Sequence, residues 1–367
     1  MAKQIFMLLI CLVQASLVLG GAIFSDLMVH DVLKLANVTN DIAPEREAST
    51  LNCSKYRRDY DIVKSFPFSV QTSPQVTANK TYVLMDTNNA VTDLTIYKEK
   101  YVPMNVYCLK NLKSLTIVNT RFYEFPNDDL GVRAIPAEIG ELKLLTQLHI
   151  YDSPVQYLPK EIANLNALTQ LTVENGALNE LPSVIGQLTR LQIVRLPKNN
   201  LKSLPATISS LASLNTLDIQ SNQLTTIDEL QNAYNLRTLY AQNCQITFLP
   251  TNLPHVDHLN MSHNNLEDLF GIGTLGYGVG YGGTLKFFDF SHNRIEVVPP
   301  EISKIVARIQ EFSVKNNQLT HLPKEFFNLR YAATTRIDLS LNWFSDEELE
   351  LIKTTMRTLF PQAQVIY

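Results

Sequence analysis

Apolar residues fall at fixed places from Leu145 onward. Leu145, Leu148, Ile150, Val155 and Leu158 return 23 residues later as Leu168, Leu171, Val173, Leu178 and Leu181. They return again as Leu191, Val194, Leu196, Leu201 and Leu204, and a further copy starts at Leu214 with Leu217, Ile219, Leu224 and Ile227. A fixed period in the twenties marks a solenoid, in which each repeat is one rung. Within a rung, the second and third apolar residues are two apart and so point to one side of a strand. Polar residues beside them, such as Gln170, Thr172 and Glu174, point to the other.

The ninth place is small or polar: Ser153, Gly176, Asn199, Asn222. An asparagine there carries donors and an acceptor on one short side chain. It can satisfy the backbone of the turn after the strand, and stacked copies would form a ladder. A Leu-Pro pair then ends the extended part, and the proline can open a helical turn because its missing N–H is not needed there. Ile162, Ile185 and Ile208, with Leu165, Leu188 and Leu211, are expected to return to the core from the outer side.

With Leu158-Pro159-Lys160-Glu161-Ile162-Ala163-Asn164-Leu165 on the page, the chain resembles the leucine-rich repeat family, in its class with L-P-x-x-I-x-x-L. The resemblance implies an α/β solenoid, a horseshoe with a parallel β-sheet on its concave face and short helices or turns on its convex face. It also implies that the ninth place accepts cysteine, which makes Cys244 a buried ladder residue. Such domains commonly serve as interaction scaffolds, although a fold alone does not name a ligand.

Rungs are expected to start at Val91, Leu112, Leu145, Leu168, Leu191, Leu214, Leu236, Val256, Leu285, Ile309 and Thr334. This places the repeats at 91–344, between an N-terminal cap at 23–90 and a C-terminal cap at 345–367. Two intervals are long, and their insertions, Asn127–Ala134 and Gly271–Thr284, should project from the convex side. After Phe344 the period stops. Ser345 can cap a helix from Asp346 to about Phe360. Leu349, Ile352, Met356 and Leu359 give it an apolar stripe, and Val365-Ile366-Tyr367 can add a last strand.

Residues 1–22 read as a secretory signal peptide: Lys3, an apolar run, then small residues near Gly20 to Ala22. The alternative is an uncleaved N-terminal anchor. Cys11 is a poor lipoprotein site, since bulky Ile10 precedes it. On a secretory route, Cys53 and Cys108 are expected to form a disulfide tying the cap to the first rungs. The competing reading is two free thiols in a reducing compartment. Asn37, Asn52, Asn79 and Asn260 head N-x-S/T acceptor sequences for N-glycans, a pattern short enough to arise by chance. No apolar tail follows the C-terminal helix, so the mature chain is expected to lack a membrane span.

Formal net charge is −4, with 31 basic and 35 acidic residues, which gives no broad footprint for nucleic acid. Gly271, Gly273 and Gly276 match G-x-G-x-x-G, as do Gly278, Gly280 and Gly283, but two offset matches in one Gly/Tyr run reflect composition. A dinucleotide site also needs a βαβ unit. His263 and His292 occupy the eighth place of neighbouring rungs near Asp289, so they could share a metal; Ser-His-Asn is also an ordinary entry to the turn. No catalytic residue, metal site or cofactor is expected from any spacing.

The concave face is the better candidate. Its middle rungs should present His149, Tyr151, Glu174, Arg195, Asp218, Tyr240 and Gln242, and aromatics and arginine are enriched at binding hot spots. The competing reading is an ordinary solvated surface. The sequence thus points to an extracellular recognition module, not an enzyme, binding a protein or a glycan-bearing cell-surface partner. Asn260 should face the same side, where a glycan would obstruct the later rungs. The alternatives are a self-associating structural or cell-surface component, and a metal-dependent enzyme using His263, Asp289 and His292.

Overall fold

Each repeat contributes one short strand, and the strands stack in chain order. In the computed structural model the sheet runs β1 (Tyr82–Met85), β2 (Val91–Tyr97), β3 (Ser114–Val118), β4 (Gln147–Tyr151), β5 (Gln170–Glu174), β6 (Ile193–Arg195) and β7 (Thr216–Asp218). It continues through β8 (Thr238–Tyr240), β9 (His258–Asn260), β10 (Leu285–Asp289), β11 (Ile309–Ser313), β12 (Arg336–Asp338) and β13 (Gln364–Ile366). Among the described residues only neighbours in sequence pair, giving one 13-stranded sheet. All pairs are parallel except β1 on β2, where the cap closes the first rung with an antiparallel strand. The structure describes residues 51–72, 79–122, 134–278, 285–306, 308–327, 334–359 and 361–367. All belong to the unit Ser49–Tyr367. The segment read as a signal peptide, Asn37 and most of the first insertion lie outside them.

The core is the apolar pattern read from the sequence. Leu148, Ile150, Leu171, Val173, Val194, Leu196, Leu217 and Ile219 are fully buried, as are Ile162, Ile185 and Ile208 from the opposite side. In the later rungs phenylalanine takes these places. Phe288, Phe290, Phe312 and Phe326 form a continuous run with ring centroids 6.0 to 6.2 Å apart. The returning segments are short 3-10 helices such as Lys160–Asn164, Ser183–Gln187 and Ala206–Ser210. Proline stands as the cap residue before each, not as its first helical residue. Ile162 N–H donates to the Pro159 carbonyl at 3.0 Å, and Ile185 and Ile208 repeat the bond.

The ladder forms as expected, and its chemistry varies by rung. Asn199 Oδ1 accepts from the N–H groups of Gly176 (3.1 Å) and Leu178 (2.9 Å). Its Nδ2 donates to the carbonyls of Val173 and Leu196, at 2.7 and 3.0 Å. Asn222, Asn264, Asn293, Asn317 and Asn342 each donate to two successive rungs in the same way. Cys244 keeps the place with two weak S–H contacts, to Ile219 and Gln242 carbonyls, and burial raises its thiol pKa.

Beside the ladder runs a feature the sequence does not advertise. The eighth place of every rung has positive φ: Lys98, Asn119, Asp152, Asn175, Lys198, Ser221, Asn243, His263, His292, Asn316 and Leu341, between 47° and 60°. The left-handed region favours Asn, Asp and His among non-glycine residues. Here the neighbours impose it: the eighth-place N–H donates to the next rung, as His263 does to Ser291 O (2.9 Å) and Asn316 to Ser340 O (2.9 Å). The tenth-place N–H donates to the preceding rung, from Asn200 to Leu178 O through Gln318 to Ile295 O and Trp343 to Leu319 O.

Both caps are seen. A short helix α1 (Asp59–Lys64) packs Ile62 and Val63 into the core. Cys53 and Cys108 are bonded, linking this cap to the first repeat. The second insertion begins on the convex side with a one-turn helix, Ile272–Thr274, and a bridge from Leu275 to Leu253. Gly276 is required there: its φ is 61°, and a Cβ would stand 2.4 Å from Leu285 Cδ2. Residues 279–284 of the insertion lie outside the described residues. At the other end, after a short helix α2 (Ser303–Val306) in the last rungs, α3 (Asp346–Leu359) buries Ile352 and Met356. Ser345 Oγ accepts from Glu348 N–H at 3.2 Å, the capping bond expected. Among the described residues no helix is long and apolar enough to cross a membrane.

Candidate functional site

The strand register sorts the outward side chains into columns. One column reads Thr116, His149, Thr172, Arg195, Asp218, Tyr240, Asn260, Asp289, Ser313, Asp338. Four of the seven candidate residues lie in it. Tyr151 pairs with Glu174 in the next column, and Gln242 falls one place beyond Tyr240 on the same edge. The seven therefore share one face.

They are not seven independent side chains. The rings of His149 and Tyr151 stack at 6.2 Å. Glu174 takes an ion pair from Lys198, at 2.9 Å. Gln242 Nε2 donates to Gln220 Oε1 at 2.7 Å, and Gln220 Nε2 donates to Asp218 Oδ2 at 3.1 Å, a relay across two rungs. Tyr240 meets His258 edge-on at 5.2 Å, and His258 stacks on Phe287 at 5.0 Å. That three-ring run was only partly legible, because His258 and Phe287 stand at the third place of their rungs, one column away from the residues read as candidates.

Thr172 and Asp218 differ from the expectation of a solvated polar face. They are only 2% and 8% exposed. Parallel strands about 4.8 Å apart let the larger neighbours close over the small side chains between them. Thr172 Oγ1, His149 Nδ1 and Gln242 Oε1 are buried without a hydrogen-bond partner. Burial raises the Asp218 carboxyl above its ordinary value, against two hydrogen bonds from Gln220 and the nearby Arg195 charge. Burial also raises Tyr151, with Glu174 adding to it.

Asn260 faces this side, as expected. Its Oδ1 accepts from Ser262 N–H (3.0 Å) and Oγ (2.7 Å). Asp338 does the same for Ser340, and Asp289 caps the Ser291 N–H at 2.9 Å. The Asn-x-Ser spacing at Asn260 thus repeats a turn that aspartate makes in other rungs.

A concavity of about 390 Å³ opens further along, lined by Phe287, Asp289, Glu311, Lys315, Arg336 and Asp338 together with His263 and His292. The two imidazoles stack face to face at 4.2 Å, and His292 Nδ1 lies 2.8 Å from Asn316 Nδ2. Among the described residues no group of three or more His, Cys, Asp or Glu is placed to hold a metal ion.

Burial holds the imidazoles of His149 and His258 below the usual histidine range, and the Arg195 charge adds to the effect at His149. The unfolded chain takes up protons near pH 6.5, where these folded imidazoles resist them. The unfolded state then binds more protons, so their contribution is complete above about pH 6.5 and declines as pH falls through the lower folded values. Thermal melts are expected to show a midpoint that drops between pH 7 and pH 5, with a shallower drop in His149→Gln.

A family model described as a leucine-rich repeat region matches residues 136–274. The fold is a leucine-rich repeat solenoid. No curated protein matches it in sequence. The repeats are similar in fold to the plant peptide hormone receptor RGFR1 in complex with RGF2: 21% identity, TM-score 0.54, covering 71% of this chain and 40% of that one. They are similar to PEPR1–AtPEP1 at 20% identity and TM-score 0.56, covering 71% and 36%. An internalin from Listeria monocytogenes matches at 18% identity and TM-score 0.51, covering 75% and 79%. This chain therefore spans well under half the length of the two receptor chains.

Proposed function

We propose that this leucine-rich repeat protein is an extracellular recognition module that binds a protein partner through the concave strand face. One observation carries the reading. A single register column aligns His149, Arg195, Asp218 and Tyr240, and adjoining columns extend it with the Tyr240–His258–Phe287 ring run. Arginine and aromatics on a rigid sheet lose little freedom on binding, so more of the contact energy appears as affinity. One of the similar structures is a plant peptide hormone receptor in complex with RGF2, which supports a protein partner over a glycan. The Cys53–Cys108 disulfide suits an oxidising compartment and supports secretion. Asn52 and Asn79 are exposed and are the accessible glycan acceptors; a glycan on half-buried Asn260 would cover the later rungs.

The test uses the mature protein against surface proteins of its native host. Arg195→Glu and Tyr240→Ala are expected to reduce recovery of the bound partner by about tenfold or more, the loss typical of a hot-spot side chain. Equal recovery with both variants would place binding elsewhere.

A further inference from the structure

We propose that the rim of the last repeat, at Leu341 and Trp343, is a second docking surface, for a partner segment that presents an apolar anchor flanked by Lys or Arg. The fold asks nothing of either side chain. At the eighth place, where the backbone is left-handed, each earlier rung has a polar or charged residue; the last rung has Leu341, with φ 60° and 64% exposed. Leucine gains nothing from the local hydrogen bonds that help Asn or Asp tolerate this conformation. The tenth place is polar in the six rungs before the last, and its structural work is done by the backbone N–H alone. The last rung has Trp343 there, also 64% exposed. Two large apolar side chains thus flank one half-buried ladder asparagine, Asn342, where water would favour Asn or Gln.

The next residues set the partner's charge. α3 opens with Asp346, Glu347 and Glu348, within seven positions of Leu341. These acids favour the helix start, and they also put three carboxylates within a few positions of the apolar pair. Nearby Lys353 is already held by Glu350, at 2.8 Å. An apolar anchor with basic flanks complements both features, and tryptophan is among the residues most enriched at interface hot spots.

Trp343 is the chain's single tryptophan, so fluorescence excited selectively at tryptophan reports on this rim alone. The probe is an amphipathic helical peptide of Leu and Lys, with the same peptide carrying Glu for Lys as control. The expected result is a saturable blue shift with the Lys peptide and none with the Glu peptide. Affinity should fall about tenfold or more in Leu341→Asn, and should fall with added salt and in Glu347→Gln. Asn suits the left-handed backbone, so Leu341→Asn should melt no lower than the parent, which separates lost docking from lost folding. No shift with either peptide, an equal shift with both, or unchanged affinity in Leu341→Asn would overturn the proposal. So would a blue shift that grows with protein concentration alone, which would assign the rim to a second copy of this chain.

Discussion

Replacing Cys53 and Cys108 by serine is expected to destabilise the protein by about 4 kcal/mol. The bond joins residues 55 apart in sequence. The chain-entropy relation for a closed loop of that length gives about 4 kcal/mol at 25 °C, within the range of about 2–5 observed when native disulfides are removed. Its position raises the consequence above the number. The first rung would otherwise expose Leu94 and Ile96, both buried. A solenoid needs a polar end, and an uncapped rung invites association. Denaturant melts of the double variant should therefore show a lower midpoint, and unfolding should begin at the N-terminal rungs. Hydrogen exchange should locate the loss in β1 to β3, with the later rungs protected. A variant as stable as the parent would mean that the cap holds by packing alone.

Asn199→Ala is expected to cost about 3–5 kcal/mol. The side chain satisfies the buried N–H groups of Gly176 and Leu178 and the carbonyls of Val173 and Leu196. Alanine leaves two buried donors unpaired, at about 1–3 kcal/mol each, and loses the bonds to both carbonyls. Because each repeat touches only its neighbours, the loss should be concentrated in the rungs on either side. The other occupants of the ninth place give an internal control. Cys244 makes only two weak contacts, so Cys244→Ala should cost much less than Asn199→Ala. If the two variants melted alike, the ladder's hydrogen bonds would not be what holds the turns.

The two predictions rest on features that were differently legible. The ladder could be read from Asn199 and Asn222, because a buried turn selects side chains that carry both donors and an acceptor, and the fold then displays that chemistry at a fixed period. The apolar positions were legible for the same reason: a solenoid core imposes its spacing on every rung. The left-handed column was not. Lys198, Ser221 and His263 have no common chemistry, and the conformation comes from N–H groups reaching the next rung. The prolines were placed one residue off, because a 3-10 turn needs only their carbonyl and leaves them outside the helix.

The candidate surface was legible in outline only. Alternation along a strand put His149, Arg195, Asp218 and Tyr240 on one face, and the register set them in one column. Their burial was not readable, since Thr172 and Asp218 are covered by side chains from adjacent rungs. The later concavity depends on how rungs of unequal length stack. Val256 to Leu285 spans 29 residues against 23 from Leu168 to Leu191, and only the register brings Phe287 against His258.

The central claim is that partners meet the strand face and not the convex helices. The most direct measurement places a photoreactive amino acid at Tyr240, or at Ser210 on a convex turn, and irradiates each protein with native host cells. A discrete protein adduct from position 240, absent from position 210, is the predicted result. An adduct only from position 210, or none from position 240 while a partner still binds, would contradict it.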